Sequence, residues 1–453
     1  MDKLFGTDGI RGQANRHPIT PELALQVGKA IGRVIGAQGH GSKRVVIGKD
    51  TRLSGYMLET ALTSGLVSMG SDVFLVGPVP TPAVAHLTKS LAADAGVMVT
   101  ASHNPFDDNG IKLFSPDGYK LDDAMEDQIA GLVLSGEISS EHIRSDQIGK
   151  AHRIDDASGR YIEFVKSTIR NEKLDPLKIV LDCANGAAYS IAPLIFSELG
   201  ARIVKINVAP DGYNINNNCG AMHPQVVAEQ VKASQADLGI ALDGDADRVI
   251  FCDERGHVVD GDRILAMCAV EFKRRGVLAH DTLVCTSMSN LGLHEAMARR
   301  GIRVVVSDVG DRYVIEAMRA KGYSMGGEKS GHLIFHEFAT TGDGILCALQ
   351  VMRLMKSAAV PLSALADCMH EYPHRLVSIP VREKRPIETL PKLTATIRAA
   401  EADLAASGRV NVRYSGTERK IRLLVEAKEQ AKVDRWLARL TEAVAAELEG
   451  QCG

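Results

Sequence analysis

Short β-branched runs recur along this chain, each followed by a stretch with helical spacing, and this alternation constrains the fold more than any other feature. Val45-Val46-Ile47, Val73-Phe74-Leu75-Val76, Val97-Met98-Val99, Ile179-Val180-Leu181, Ile240-Ala241-Leu242 and Val304-Val305-Val306 are the clearest cases. Strands alternating with helices build βαβ units and mixed or parallel sheets. Many of the runs end in Gly, Asp or Ser, as at Ile47-Gly48-Lys49-Asp50 and Leu181-Asp182-Cys183-Ala184-Asn185-Gly186. Ligands of open α/β sheets gather at such strand ends.

A chain of 453 residues exceeds what one core organises, so several domains are expected. The pattern breaks in the polar stretch from Ser135 to Asp156 and again at Asp253-Glu254-Arg255-Gly256. After His370-Glu371-Tyr372-Pro373 the order becomes strand (Leu376 to Val381), helix (from about Ile387), strand (Val410 to Val412), strand (Ile421 to Val425) and a final helix. That order reads as a small α+β domain. The first three segments are candidate variations on one α/β unit.

With 45% hydrophobic and 24% charged residues, the balance is that of a globular enzyme. A net charge of −3 argues against nucleic-acid binding through a general basic surface and leaves small anionic ligands open. The eight cysteines form no C-x-x-C pair and no Cys/His cluster of zinc spacing, which fits a reducing cytoplasm. Neither an apolar signal core nor a run approaching the roughly eighteen apolar residues of a membrane span is present, so the expectation is a cytoplasmic protein with no membrane partner.

Five segments carry chemistry. Thr100-Ala101-Ser102-His103-Asn104-Pro105 follows an apolar run and continues through Asp107-Asp108-Asn109-Gly110-Ile111-Lys112. A strand-end serine can be a covalent way station for an acyl or phosphoryl group if neighbours manage its charge and proton, and His103 and Lys112 are the near candidates. On its own this segment reads more simply as a polar turn. Asp243-Gly244-Asp245-Ala246-Asp247-Arg248 places three carboxylates at alternate positions, a hard-oxygen set suited to magnesium or calcium. An EF-hand would need Gly where Arg248 stands and helices where strands flank the loop.

Gly326-Gly327-Glu328-Lys329-Ser330-Gly331-His332 precedes another apolar run, and its Glu328, Ser330 and His332 suit sugar hydroxyls as well as they suit an ordinary hairpin. Arg413-Tyr414-Ser415-Gly416-Thr417-Glu418-Arg419-Lys420 joins two late strands; an arginine, hydroxyls and a close-approach glycine suit phosphate, and a plain charged hairpin stays open. It is not a Walker loop. Phe5-Gly6-Thr7-Asp8-Gly9-Ile10-Arg11-Gly12 offers one arginine among glycines as a second anion contact.

Together and in this order the five segments resemble the α-D-phosphohexomutase superfamily over essentially the whole chain, and its glucosamine branch within that. T-A-S-H-N-P is similar to its phosphoserine loop, D-G-D-A-D-R to its metal loop, G-E-K-S-G-H to its sugar loop and R-Y-S-G-T-E to its phosphate loop. The resemblance implies an α/β protein of four domains around a central cleft: residues 1–152, 153–254 and 255–369 as three α/β mixed-sheet domains, and 370–453 as a C-terminal α+β domain. Ser102 would carry the phosphoryl group, with Asp243, Asp245 and Asp247 binding Mg2+ together with an oxygen on Ser102. Arg11, Lys112, His103 and Arg248 would stand at the reacting centre. Glu328, Ser330 and His332 would contact the sugar, and Arg413, Ser415, Gly416 and Thr417 the non-transferring phosphate.

The implied reaction interconverts glucosamine 6-phosphate and glucosamine 1-phosphate, supplying UDP-N-acetylglucosamine synthesis, through a phosphoserine activated by a hexosamine bisphosphate. The implied partner is a phosphorylated amino sugar, with a homodimer left open. Tyr414 and Arg419 depart from the proline usual in the phosphate loop. Lys329 stands where the branch often has Gln, and it is expected to face solvent. Gly310-Asp311-Arg312-Tyr313 also resembles the glucosamine branch without an evident role. Phosphomannomutase/phosphoglucomutase activity, a sugar phosphatase and a non-catalytic phosphosugar sensor are the rival readings.

Overall fold

A computed structural model describes residues 4–6, 8–36, 43–415 and 419–448. They divide into two compact units, one within Met1–Ser289 and Arg300–Cys368, the other within Asn290–Arg299 and Met369–Gly453.

The first unit holds three sheets. In spatial order, the first runs Ile10–Gln13, Asp108–Phe114, Ala95–Val99, Lys43–Lys49, Ser71–Pro78 and Ala151–Arg153. The second runs Val258–Val259, Val249–Asp253, Leu238–Leu242, Lys178–Asp182 and Arg202–Ile206, and the third Arg303–Ser307, Thr282–Thr286, Met325–Gly327 and Leu333–Phe335. All three share one plan. Apolar parallel strands form the middle, and one of them turns back through an antiparallel neighbour: Val99 stands opposite Ile111, Leu242 opposite Val249, and Gly327 opposite Leu333. The turn between each antiparallel pair is one of the chemistry-bearing segments.

The central strands Ala95–Val99, Lys178–Asp182, Leu238–Leu242 and Thr282–Thr286 are buried almost throughout, as expected where helices cover both faces, while the edge strands Arg202–Ile206 and Arg303–Ser307 are only partly covered. On the first sheet the helices Pro21–Gly36 and Ser54–Val67 present Leu23, Val27, Ile31, Leu58, Leu62 and Leu66 to Val45, Ile47 and Val97. The two helices meet backbone to backbone. A Cβ on Gly65 would lie 2.2 Å from the Leu25 carbonyl oxygen, and one on Gly28 2.5 Å from that of Leu62.

The second unit carries the antiparallel sheet His374–Pro380, Lys420–Ala427, Gly408–Tyr414 under the helices Pro391–Leu404 and Gln430–Leu448. Its core joins Ile421, Leu423 and Val425 to Leu393, Leu404, Val433, Leu440 and Trp436, whose indole N–H donates to Asp403 Oδ2 at 2.8 Å. The helix Leu291–Ala298 belongs to this unit: Asn290 Nδ2 donates to the Tyr372 carbonyl at 3.0 Å, and the Leu291 N–H to Glu426 Oε1 at 2.5 Å. Among the described residues no helix is long and apolar enough to cross a membrane.

Gly65→Val, by forcing the two helices of the first sheet apart, is expected to lower unfolding free energy by about 1–3 kcal/mol, the usual cost of overpacking. Urea unfolding followed by circular dichroism measures it, and an unchanged midpoint would refute the close backbone contact.

Candidate active site

Ser102 leaves the strand Ala95–Val99 in the left-handed region, at φ +52°, where a non-glycine residue needs outside support. The support is visible. Thr100 Oγ1 accepts from the Ser102 N–H at 2.9 Å, while the Ser102 carbonyl accepts from Arg52 at 3.2 Å and from Asn216 Nδ2 at 2.9 Å. The same two side chains reach the Asn104 carbonyl, at 2.5 and 2.9 Å. Arg52 is fully buried and paired with Asp50. The hydroxyl so fixed donates to Asp243 Oδ2 at 2.8 Å and lies 3.3 Å from His103 Nδ1.

That imidazole nitrogen also lies 3.0 Å from Arg248 NH1, which can only donate, so it acts as an acceptor. Burial, then Arg248 and Arg11, push His103 down to about 4, leaving a neutral ring at physiological pH. Arg11 comes beside the serine loop because the strand Ile10–Gln13 pairs with Asp108–Phe114; it donates to the Ala101 carbonyl at 3.3 Å and pairs with Asp8.

Asp243, Asp245 and Asp247 converge at the turn after Leu238–Leu242, where each offers an oxygen within 4.8 Å of the others, and all are buried. Ala246 permits the curl by adopting φ +56°. Burial, with Asp247 and Asp245 adding repulsion, holds the Asp243 carboxyl well above its ordinary pKa. Lys112 opposes this repulsion from the neighbouring sheet, at 3.0 Å from Asp245 Oδ2, 3.2 Å from Asp247 Oδ2 and 3.2 Å from Asp8. Burial alone would lower its pKa, but Asp245, Asp8 and Asp247 outweigh burial and keep it charged.

One oxygen each of Asp245 and Asp247 is buried with no hydrogen-bond donor. Orphaned carboxylate oxygens are costly unless something positive meets them. Three converging hard oxygens with two of this kind fit a small divalent cation such as magnesium.

The sugar-loop candidates lie on the adjacent turn. An antiparallel bridge joins Arg248 to His332, and the Val249 N–H donates to the Gly331 carbonyl at 3.0 Å. His332 Nε2 accepts from the Gly342 N–H at 3.0 Å, which turns the protonated Nδ1 toward Asp247 Oδ1, 3.7 Å away. Glu328 accepts from the Gly310 N–H at 3.0 Å and from Ser330 Oγ at 3.2 Å. Lys329 does not stand free in solvent as expected: its ammonium pairs with Asp260 at 2.8 Å, because the loop lies against the start of the helix Gly261–Arg274.

Ser102, His103, Arg11, Lys112, the three aspartates, Arg248, His332, Glu328 and Ser330 thus occupy adjoining turns of the first unit. In the second unit Arg413 lies directly opposite Arg422, and burial and that like charge lower its pKa. Two guanidiniums face to face are unfavourable without an anion to share. Lys384 Nζ donates to the Ser415 carbonyl at 2.6 Å. Gly416 and Thr417 lie outside the described residues.

The chain matches phosphoglucomutase/phosphomannomutase in four pieces: alpha/beta/alpha domain I over residues 2–138, domain II over 159–256, domain III over 260–372, and the C-terminal domain over 376–443. The chain belongs to this family. It is 53% identical over 445 residues to a phosphoglucosamine mutase of Pelobacter propionicus, covering 98% of each chain. A phosphoglucosamine mutase of Anaeromyxobacter dehalogenans is 54% identical over 460 residues, covering 100% of this chain and 99% of its own. Among solved structures, a phosphoglucomutase/phosphomannomutase family protein of Burkholderia thailandensis superposes with a TM-score of 0.82 at 26% identity, over 98% of this chain and 97% of that one.

Several site residues of this family member escape the motifs. Arg52 and Asn216 hold the serine turn, Thr81 Oγ1 donates to Asp245 Oδ2 at 2.6 Å, and Lys120 bridges Asp8 and Asp311. Arg52 had a signal, since Asp50-Thr51-Arg52 follows one of the strand ends where ligands gather. Arg52→Ala would leave the buried Asp50 carboxylate without its counter-ion and the Ser102 and Asn104 carbonyls on Asn216 alone, and is expected to cost about 3–5 kcal/mol, as for one half of a buried ion pair. Denaturant unfolding tests this, and a loss below about 1 kcal/mol, the scale of an exposed pair, would remove Arg52 from that role.

Proposed function

We propose that the chain interconverts glucosamine 6-phosphate and glucosamine 1-phosphate by two phosphoryl transfers through Ser102, a reading supported by its 53–54% identity to proteins named phosphoglucosamine mutase. The carrying observation is the Ser102 hydroxyl fixed 2.8 Å from Asp243, inside a cluster of three carboxylates and one buried ammonium. Phosphoryl transfer asks chiefly for positioning and charge neutralisation, and these residues supply both.

In this reading Ser102 carries a phosphoryl group, hands it to a sugar phosphate to give a bisphosphate, and takes back the group from the other end. Asp243, Asp245 and Asp247 would hold magnesium, which when bound neutralises charge on the phosphoryl oxygens. Lys112 and Arg11 place positive charge beside the transferring group. Arg248 keeps the His103 ring as an acceptor next to the serine. Glu328, Ser330 and His332 orient the sugar, and Glu328 gives an amino sugar an anionic partner for its ammonium. Arg413, Ser415, Gly416 and Thr417 bind the phosphate that stays, Arg413 with Arg422 supplying the charge.

Ser102→Ala is expected to reduce turnover by roughly a thousandfold or more, the scale of losing a covalent nucleophile, with the fold intact. Near-normal activity would end the relay. Excess chelator is expected to stop catalysis and magnesium to restore it; undiminished activity with no metal bound would overturn the aspartate assignment. Specificity constants for glucosamine, glucose and mannose 1-phosphates decide the sugar, the amino sugar being given up if another wins by about tenfold, or about 1.4 kcal/mol. Inorganic phosphate released in stoichiometric amount would instead mark a phosphatase.

A further inference from the structure

The segment Gly310-Asp311-Arg312 opens the helix Asp311–Lys321 and touches both the sugar loop and the first sheet's layer. Gly310 sits at φ +135°, ψ +135°, a conformation in practice reserved for glycine, and this aims its N–H at Glu328 Oε1, 3.0 Å away. Asp311 pairs with Lys120, itself paired with Asp8, and lies 3.5 Å from His332 Nε2. Arg312 reaches across to the start of the helix Asp123–Leu134. Its guanidinium pairs with Asp123, donates to the Leu121 carbonyl at 2.8 Å and lies 3.0 Å from Glu126 Oε2.

Three acceptors around one guanidinium fix its helix in position and in rotation, which a single ion pair would not. Gly310 is two residues from that anchor, so the N–H on Glu328 inherits its placement. Ser330 holds the other carboxylate oxygen, and the orientation of Glu328 therefore depends on both partners.

We propose that Arg312 is a positioning residue for sugar recognition: it clamps the helix Asp311–Lys321 to residues 121–126 and so keeps the Gly310 N–H on Glu328. The inference rests on the reading above that Glu328 meets the sugar. Arg312 itself touches neither the serine turn nor the aspartate turn, so its loss weakens substrate binding and leaves the phosphoryl relay in place.

The test uses the full-length enzyme with glucosamine 1-phosphate, comparing wild type with Arg312→Ala, Arg312→Lys and Gly310→Ala. Arg312→Ala and Gly310→Ala are expected to raise KM about tenfold with kcat changed less than about threefold, the signature of lost ground-state binding. Intact mass is expected to show wild-type phosphate occupancy on Ser102. Arg312→Lys should recover only part of the KM, since an ammonium does not reproduce the planar fork. A KM within about twofold of wild type in folded Arg312→Ala would overturn the role, as would a fall in kcat alone. Should Arg312→Ala not fold, Asp123→Asn and Arg312→Lys each remove part of the clamp, and an unchanged KM in both overturns it. Glucose 1-phosphate run in parallel separates the two claims. If wild type prefers it, the amino-sugar reading fails, and the Arg312 comparison on that sugar still decides the positioning role.

Discussion

Lys112 makes the centre of the first unit possible. Asp8, Asp245 and Asp247 all lie within 3.2 Å of its ammonium, and Asp243 shares the same buried turn. Several carboxylates removed from water repel one another strongly, and desolvation alone would neutralise them. A single buried cation, delivered by the strand Asp108–Phe114 of one sheet to the turn of another, offsets part of that cost and ties the two sheets together. Thr81 adds two hydrogen bonds to Asp245, its N–H donating to the backbone carbonyl at 2.9 Å and its hydroxyl to Oδ2 at 2.6 Å. Chemistry and cohesion of this unit therefore rest on the same atoms.

The repeated sheet plan explains how three distant stretches of the first unit can each supply a loop at the end of an antiparallel pair. In every sheet the functional segment is the connection of an antiparallel pair, including the Tyr414–Ile421 pair of the second unit. An antiparallel turn frees backbone groups and side chains at a strand end, while the buried strands behind it keep that end still. The arrangement puts rigid scaffolding directly under the residues proposed to hold a charged ligand.

Much of this was legible in the chain, because the apolar strands and the motifs are contiguous. What was not legible depended on partners remote in sequence. Asp108–Phe114 reads as a polar loop through Asp108, Asn109 and Gly110, yet it is a strand: neighbours on both sides complete its ladder, Asn109 bonds Ser54 and Lys112 faces the aspartates. The break between Ser135 and Asp156 conceals the edge strand Ala151–Arg153, too short and polar to announce itself before it pairs with Ser71–Pro78. The helix expected from Ile387 begins at Pro391, after a tighter turn at Ile387–Thr389. Asn216 and Thr81 are single polar residues with no motif around them, and only the folded chain shows what they hold.

Trp436 is the only tryptophan of the chain, and it is buried in the core of the second unit with its indole N–H on Asp403. Native fluorescence excited at the indole band is consequently a private signal of that unit. Loosening there would redden the emission while the three sheets of the first unit stayed dark to it. The protein thus carries a built-in optical probe that separates the behaviour of its smaller unit from that of its larger one without any label.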